Sequence, residues 1–143
     1  MVDVGGKGEV VRVARAEGVI RMRPQTLKLV LEGRIEKGDV LTVAKVAAIS
    51  AVKKTPDLLP LCHNIPISHV DVVFEAVGDD GLRVEVTVKA FARTGVEMEA
   101  LVGAAVALLT VWDMVKRYEK DEGGQYPYTR IEYVRVLEKV KEG

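Results

Sequence analysis

No charged residue occurs between Ala100 and Trp112, a run of 13 residues inside the stretch T-G-V-E-M-E-A-L-V-G-A-A-V-A-L-L-T-V-W-D-M-V-K-R-Y-E-K at positions 94 to 120. No other feature of the chain constrains its fold as strongly. Thr94 followed three residues later by Glu97 has the spacing of a capping box, which predicts a helix from Gly95. A helix apolar nearly all round must be covered on most sides in a soluble protein. The apolar run is well short of the roughly 18 to 20 residues that cross a bilayer, so it reads as a central core helix rather than a membrane span. Ionisable groups flank it: Met98-Glu99 at the start, Asp113 and Lys116 near the finish. Glu99 and Asp113 are 14 positions apart, which puts them within about 40° of one face and about 21 Å apart along the axis. A compact reaction centre in one chain can hardly use both. Either they meet different ends of a long ligand, or a site is assembled from two subunits.

At 143 residues the chain is expected to form one domain over positions 1–143, with 1–8 as a flexible arm because M-V-D-V-G-G-K-G offers little to bury. Lys plus Arg and Asp plus Glu both number 21, so no overall basic field attracts nucleic acid. A single Cys excludes an internal disulfide, and the start lacks the pattern of a secretory signal; a cytoplasmic protein with no membrane or nucleic-acid partner is the expectation.

Val10 to Met22 reads as an edge or first strand broken around Glu17-Gly18. Pro24 opens a short helix with Leu27, Val30 and Leu31 at helical spacing, and Gly33 ends it. Asp39 caps a second helix running to about Lys54, stopped by Thr55-Pro56. Residues 57 to 66 fit no single period. Ile67–Val77 and Leu82–Phe91 form a hairpin around Gly78-Asp79-Asp80-Gly81, the central helix follows, and Thr129–Val140 is the last strand. This order predicts an α+β fold: a ferredoxin-like split βαβ sandwich, its antiparallel sheet covered by helices, with an extra helix in the first crossover.

Several residues carry candidate chemistry beside a plainer reading. Asp113 and Lys116, one helical turn apart, are either an exposed ion pair or a general base and acid. Lys37, next to Gly38, can reach a phosphate as any surface lysine can, and K-G-D-V-L-T at 37–42 is not a P-loop. Glu97 is explained by the capping box; Glu99 is either a surface or a site residue. In Leu61-Cys62-His63, the Cys reads as a small buried hydrophobe and the His as either a structural hydrogen-bonding group or a ligand contact. Adjacent Cys and His on an extended chain point apart, and one Cys with two scattered His do not make a zinc site.

M-V-D-V at 1–4, K-G-D-V-L at 37–41, L-L-P-L-C-H at 58–63, T-G-V-E-M-E-A-L at 94–101 and L-T-V-W-D-M-V-K at 109–116 together resemble the MoaC-type synthases of molybdenum cofactor biosynthesis, in family order and over nearly the whole chain. The resemblance implies conversion of 3′,8-cyclo-7,8-dihydro-GTP into cyclic pyranopterin monophosphate with release of pyrophosphate. It also implies a homohexamer, a trimer of dimers with active sites at dimer interfaces. Carried over by motif, Asp113, Lys116 and Lys37 become catalytic residues, and Leu61, Cys62, His63, Glu97, Met98, Glu99 and Lys139 substrate-binding ones. No cofactor is expected to be tightly bound and no metal-ligand cluster is expected, although magnesium can arrive with the triphosphate. Two departures stand out. The chain ends V-K-E-G where the family has a Gly-Gly-Lys-Ser-Gly tail, and Asn64-Ile65 replaces Pro-Leu after His63. A non-catalytic ligand-binding module is the competing class, since this fold hosts many functions. An RNA-binding module would need stacking aromatics on its central strands, where only Phe74 and Phe91 are available.

Overall fold

The computed structural model describes residues 1–142. Its elements are β1 (Val10–Arg21), α1 (Pro24–Leu31), α2 (Val40–Lys53), a single turn α3 (Thr55–Leu58), β2 (Ile67–Val77), β3 (Gly81–Ala92), α4 (Glu97–Glu119) and β4 (Arg130–Glu142). The four strands form one antiparallel sheet in the order β2-β3-β1-β4, as the ferredoxin-like expectation requires. Period-two alternation sends Ala14, Ala16 and Ile20 of β1 and Leu82, Val84, Val86 and Val88 of β3 to one face, where α4 covers them with Ala100, Ala104, Ala107, Leu108, Val111 and Val115. By length and composition alone α4 could cross a membrane. Its contacts with the sheet and with α2 identify it instead as the core helix.

β1 is the first strand and lies inside the sheet, as the ferredoxin-like order requires; it differs from the sequence expectation in running unbroken through Glu17-Gly18. Both residues are built in. A Cβ on Gly18 would stand 2.7 Å from Leu108 Cδ1 and 2.9 Å from the Tyr133 carbonyl oxygen, so its bare backbone lets α4 and β4 close in. Glu17, on the opposite face, is buried and accepts hydrogen bonds from Arg83 (2.5 Å), Arg135 (2.7 Å) and Tyr133 (3.2 Å).

The start of α4 also differs. The helix begins at Glu97, two residues later than the capping box predicts, with Val96 at the N-cap and no side-chain cap bond. The Glu97 carboxylate makes no hydrogen bond to the chain entry: Oε1 accepts from Lys139 Nζ of β4 at 3.2 Å, and Oε2 lies against Gly95 without a hydrogen-bond partner among the described residues. A contact across the fold has taken the group that local spacing assigned to the cap. Asp39, by contrast, caps α2 as expected, accepting from the Thr42 N–H at 3.2 Å.

The far end of α4 is fixed by Glu119, which is fully buried. Its carboxylate accepts from the Arg23 N–H (3.1 and 3.2 Å), Thr26 Oγ1 (2.5 Å) and Thr129 Oγ1 (2.7 Å). It therefore supplies the cap that the N-terminus of α1 lacks in its own sequence, and ties α1 and the entry to β4 onto α4.

Candidate active site

The candidate residues fall into two groups, one at each end of α4. At the later turns, the α1–α2 connection brings Lys37 to α4. Lys37 Nζ donates to Asp113 Oδ2 at 2.7 Å, and Lys116 Nζ donates to Asp113 Oδ1 at 3.0 Å. The three side chains, with Glu36, Met114 and Arg117, line an open cavity of about 270 Å³. The hydrogen bond from Lys37, reinforced by that from Lys116, holds the Asp113 carboxyl below its ordinary range; the bond to Asp113 in turn raises the Lys116 ammonium. Half-exposed ion pairs contribute little to stability. What the arrangement supplies is an ionised carboxylate with two ammonium donors at the lip of a cavity: a proton acceptor, proton donors and positive charge for an anionic ligand.

The first turn of α4 carries the other group. Glu99 is 1% exposed, and its Oε1 has no hydrogen-bond partner among the described residues. The surface reading of Glu99 is thereby excluded. Burial pushes its carboxyl above the ordinary range. Cys62 is half-buried rather than enclosed, and its Sγ points to Glu99 Oε2 at 4.0 Å. Burial, then the Glu99 and Glu97 charges, raise the Cys62 thiol, so it is no thiolate nucleophile. Lys139 joins Glu97 here, away from Lys37 and Lys116. Met98 and Leu61 are exposed, as suits residues that meet a ligand or a neighbouring chain.

His63 lies beside this turn, with Nε2 2.6 Å from the Val2 carbonyl oxygen. The first residues of the segment 1–8, expected to be a flexible arm, border this turn, and the segment carries two short bonds of its own: Lys7 N–H donates to the Val4 carbonyl at 3.0 Å, and Asp3 Oδ1 accepts from Gly5 N–H at 2.8 Å. Met1 and Val4 join His63, Phe91, Arg93 and Thr94 around a cavity of about 490 Å³. Sequence reasoning missed the arm's place, whose one signal was the M-V-D-V motif. It also missed Glu36, Arg117 and Tyr118 around Lys37, for which no local signal exists.

Thus one chain unites Lys37, Asp113 and Lys116, and separately gathers Cys62, Glu97, Glu99, Lys139 and, close by, His63. The two groups are separated by most of the length of α4.

Comparison with known proteins adds the family context. The model described as the MoaC family matches residues 1–142. A protein of Pyrococcus abyssi named "Probable cyclic pyranopterin monophosphate synthase" is 61% identical over 141 residues, covering 99% of this chain and 88% of its own. Proteins with the same name from Saccharolobus solfataricus and Sulfolobus acidocaldarius are each 54% identical, over 142 and 141 residues, covering 99% of this chain and 95% and 98% of theirs.

Proposed function

From the premise that the chain belongs to the MoaC family, we propose that it is a cyclic pyranopterin monophosphate synthase of molybdenum cofactor biosynthesis. Its substrate is 3′,8-cyclo-7,8-dihydro-GTP, and its products are cyclic pyranopterin monophosphate and pyrophosphate. The observation that carries the assignment of roles is the Asp113 carboxylate held between Lys37 and Lys116 over an open cavity.

The rearrangement opens the purine-derived rings, builds the pyranopterin and closes a cyclic phosphate, with several proton transfers and no redox change. Asp113, ionised, accepts a proton; Lys116 returns one and, with Lys37, offsets charge on the departing pyrophosphate. Leu61, Cys62, His63, Met98 and Glu99 orient the ring system, and Lys139 with Glu97 borders the same pocket. Glu99, buried with Oε1 free of any hydrogen bond among the described residues, offers that oxygen to a polar atom of the rings. Any magnesium travels with the triphosphate, coordinated mainly by its oxygens.

Because the two groups stand at opposite ends of α4, the working site takes the later turns from one chain and the first turn from another. The assembly is a cytoplasmic homohexamer, a trimer of dimers. Its support is the outward side of the helical layer, where Val46 is 62% and Leu109 56% exposed beside Val43. Apolar side chains left open on a core helix and its neighbour are suited to a subunit contact.

The test is release of pyrophosphate on mixing the protein with the cyclic triphosphate. Turnover is expected, with kcat reduced at least about a hundredfold in Asp113→Asn. Binding of the triphosphate without turnover would make the protein a ligand-binding module, and near-normal turnover by an intact Asp113→Asn oligomer would remove Asp113 from the chemistry.

A further inference from the structure

The turn that carries Lys37 is fastened to the last turns of α4 at its neighbouring residue. The Glu36 backbone N–H donates to Tyr118 Oη at 2.9 Å. The Glu36 carboxylate pairs with the Arg117 guanidinium, which lies over the Tyr118 ring with Cζ 5.5 Å from its centroid. Just beyond Lys37, Gly38 takes φ = +139°, a conformation open to glycine, and turns the chain back past Met114. On α4, Asp113 and Arg117 are an i,i+4 pair, as are Met114 and Tyr118. The turn therefore lies along one strip of the helix: one helical turn anchors Glu36, and the preceding turn receives Lys37.

We propose that Tyr118 is a positioning residue of the active site: by holding the Glu36 peptide, its hydroxyl keeps Lys37 Nζ within hydrogen-bond reach of Asp113. This rests on the roles given above to Lys37 and Asp113. A half-exposed lysine has many rotamers, so the placement of its backbone decides where its ammonium can go. The Tyr118 ring packs at the edge of the core whether or not it carries a hydroxyl. The hydroxyl itself bonds the Glu36 peptide. Stability from the ring and placement from the hydroxyl are thus separable in one side chain.

Lys37 from the turn and Lys116 from α4 shift the Asp113 carboxyl; Glu36 and Arg117 line the same cavity, and Tyr126, which follows α4, acts on Lys116. Lys37 makes the largest contribution that holds the Asp113 carboxyl down, so its titration reports where Lys37 sits.

Tyr118→Phe separates the two roles. The Asp113 carboxyl is titrated by carbon NMR in the full chain without substrate, alongside Lys37→Ala and the double variant, and pyrophosphate release is measured in parallel. Tyr118→Phe is expected to move the Asp113 midpoint upward, in the direction of Lys37→Ala, and to lower kcat by about three- to tenfold. In the Lys37→Ala background it is expected to move neither further, because it acts through that lysine. An unchanged Asp113 midpoint in Tyr118→Phe, or an equal displacement without Lys37, overturns the proposal. If the titrations follow the expected course and no variant or parent releases pyrophosphate, the positioning role stands and the enzymatic assignment falls.

Discussion

Two glutamates on α4 are both buried, and the same substitution should affect them oppositely. Glu119 is saturated by the Arg23 N–H and the Thr26 and Thr129 hydroxyls. Glu99 leaves Oε1 without a partner among the described residues. The Glu99 carboxyl is raised above its unfolded value, so the folded state binds the extra proton. Stability from this group is therefore present in acid and is lost as pH rises from the ordinary carboxylate range through the raised value. Glu99→Gln keeps the volume and removes the titration. Its expected effect at neutral pH is a gain on the order of 1 kcal/mol, with a flatter stability–pH profile above the ordinary carboxylate range. Glu119→Gln places an amide NH₂ among groups that already donate, and should cost about 1–3 kcal/mol. Urea unfolding of both variants across a pH series decides the matter. Equal losses at neutral pH would mean that Glu99 has a partner in the folded chain after all.

At the scale of elements, α4 depends on small residues to approach its neighbours. Gly103, Ala100, Ala104 and Ala107 are buried on α4, and Ala44 and Ala48 are buried on α2. A Cβ on Gly103 would lie 2.8 Å from Val52 Cγ2 and 3.2 Å from Val86 Cγ1. Gly103→Ala gains about 1 kcal/mol of helix propensity but overpacks two buried β-branched side chains, a cost of about 1–3 kcal/mol. Val52 and Val86 have few rotamers in which to give way. The expected result is a net loss of about 1 kcal/mol by urea unfolding, and a stabilised Gly103→Ala protein would mean that the layer relaxes freely. The core helix, the hairpin at Gly78–Gly81 and the Asp39 cap were legible in sequence because each depends on residues within a few positions. The start of α4 was not, because Lys139, 42 positions away, takes the Glu97 carboxylate. The continuity of β1 through Glu17-Gly18 was hidden for the same reason: burial of Glu17 depends on Arg83 and Arg135 from two other strands. Motif spacing named the candidate residues and set Met98-Glu99 and Asp113-Lys116 at opposite ends of α4, but it did not place Lys37 with Asp113 or Lys139 with Glu97. It also missed Tyr118, whose partner Glu36 is 82 positions away.

For the whole molecule, the separation of the two groups makes a quantitative prediction about mixed assemblies. Lys37 and Asp113 sit 2.7 Å apart within one chain. Mixing Lys37→Ala with Asp113→Asn chains should therefore restore nothing, since every cavity at the later turns would still lack one of the two. Complementation should come from opposite ends: Asp113→Asn chains mixed with chains carrying both His63→Ala and Lys139→Ala. In a two-fold dimer, each site takes the later turns of one chain and the first turn of its partner. A mixed dimer then has one site with all the lesions and one with none. Equal mixing gives half mixed dimers with half their sites intact, so activity should recover to about a quarter of wild type. Subunit exchange is verified by mass spectrometry with isotope-labelled chains, and pyrophosphate release is read on the same sample. If exchange is complete and activity stays at the parental level, the shared site is wrong, and both ends of α4 must serve a single chain's ligand or only one end serves the chemistry.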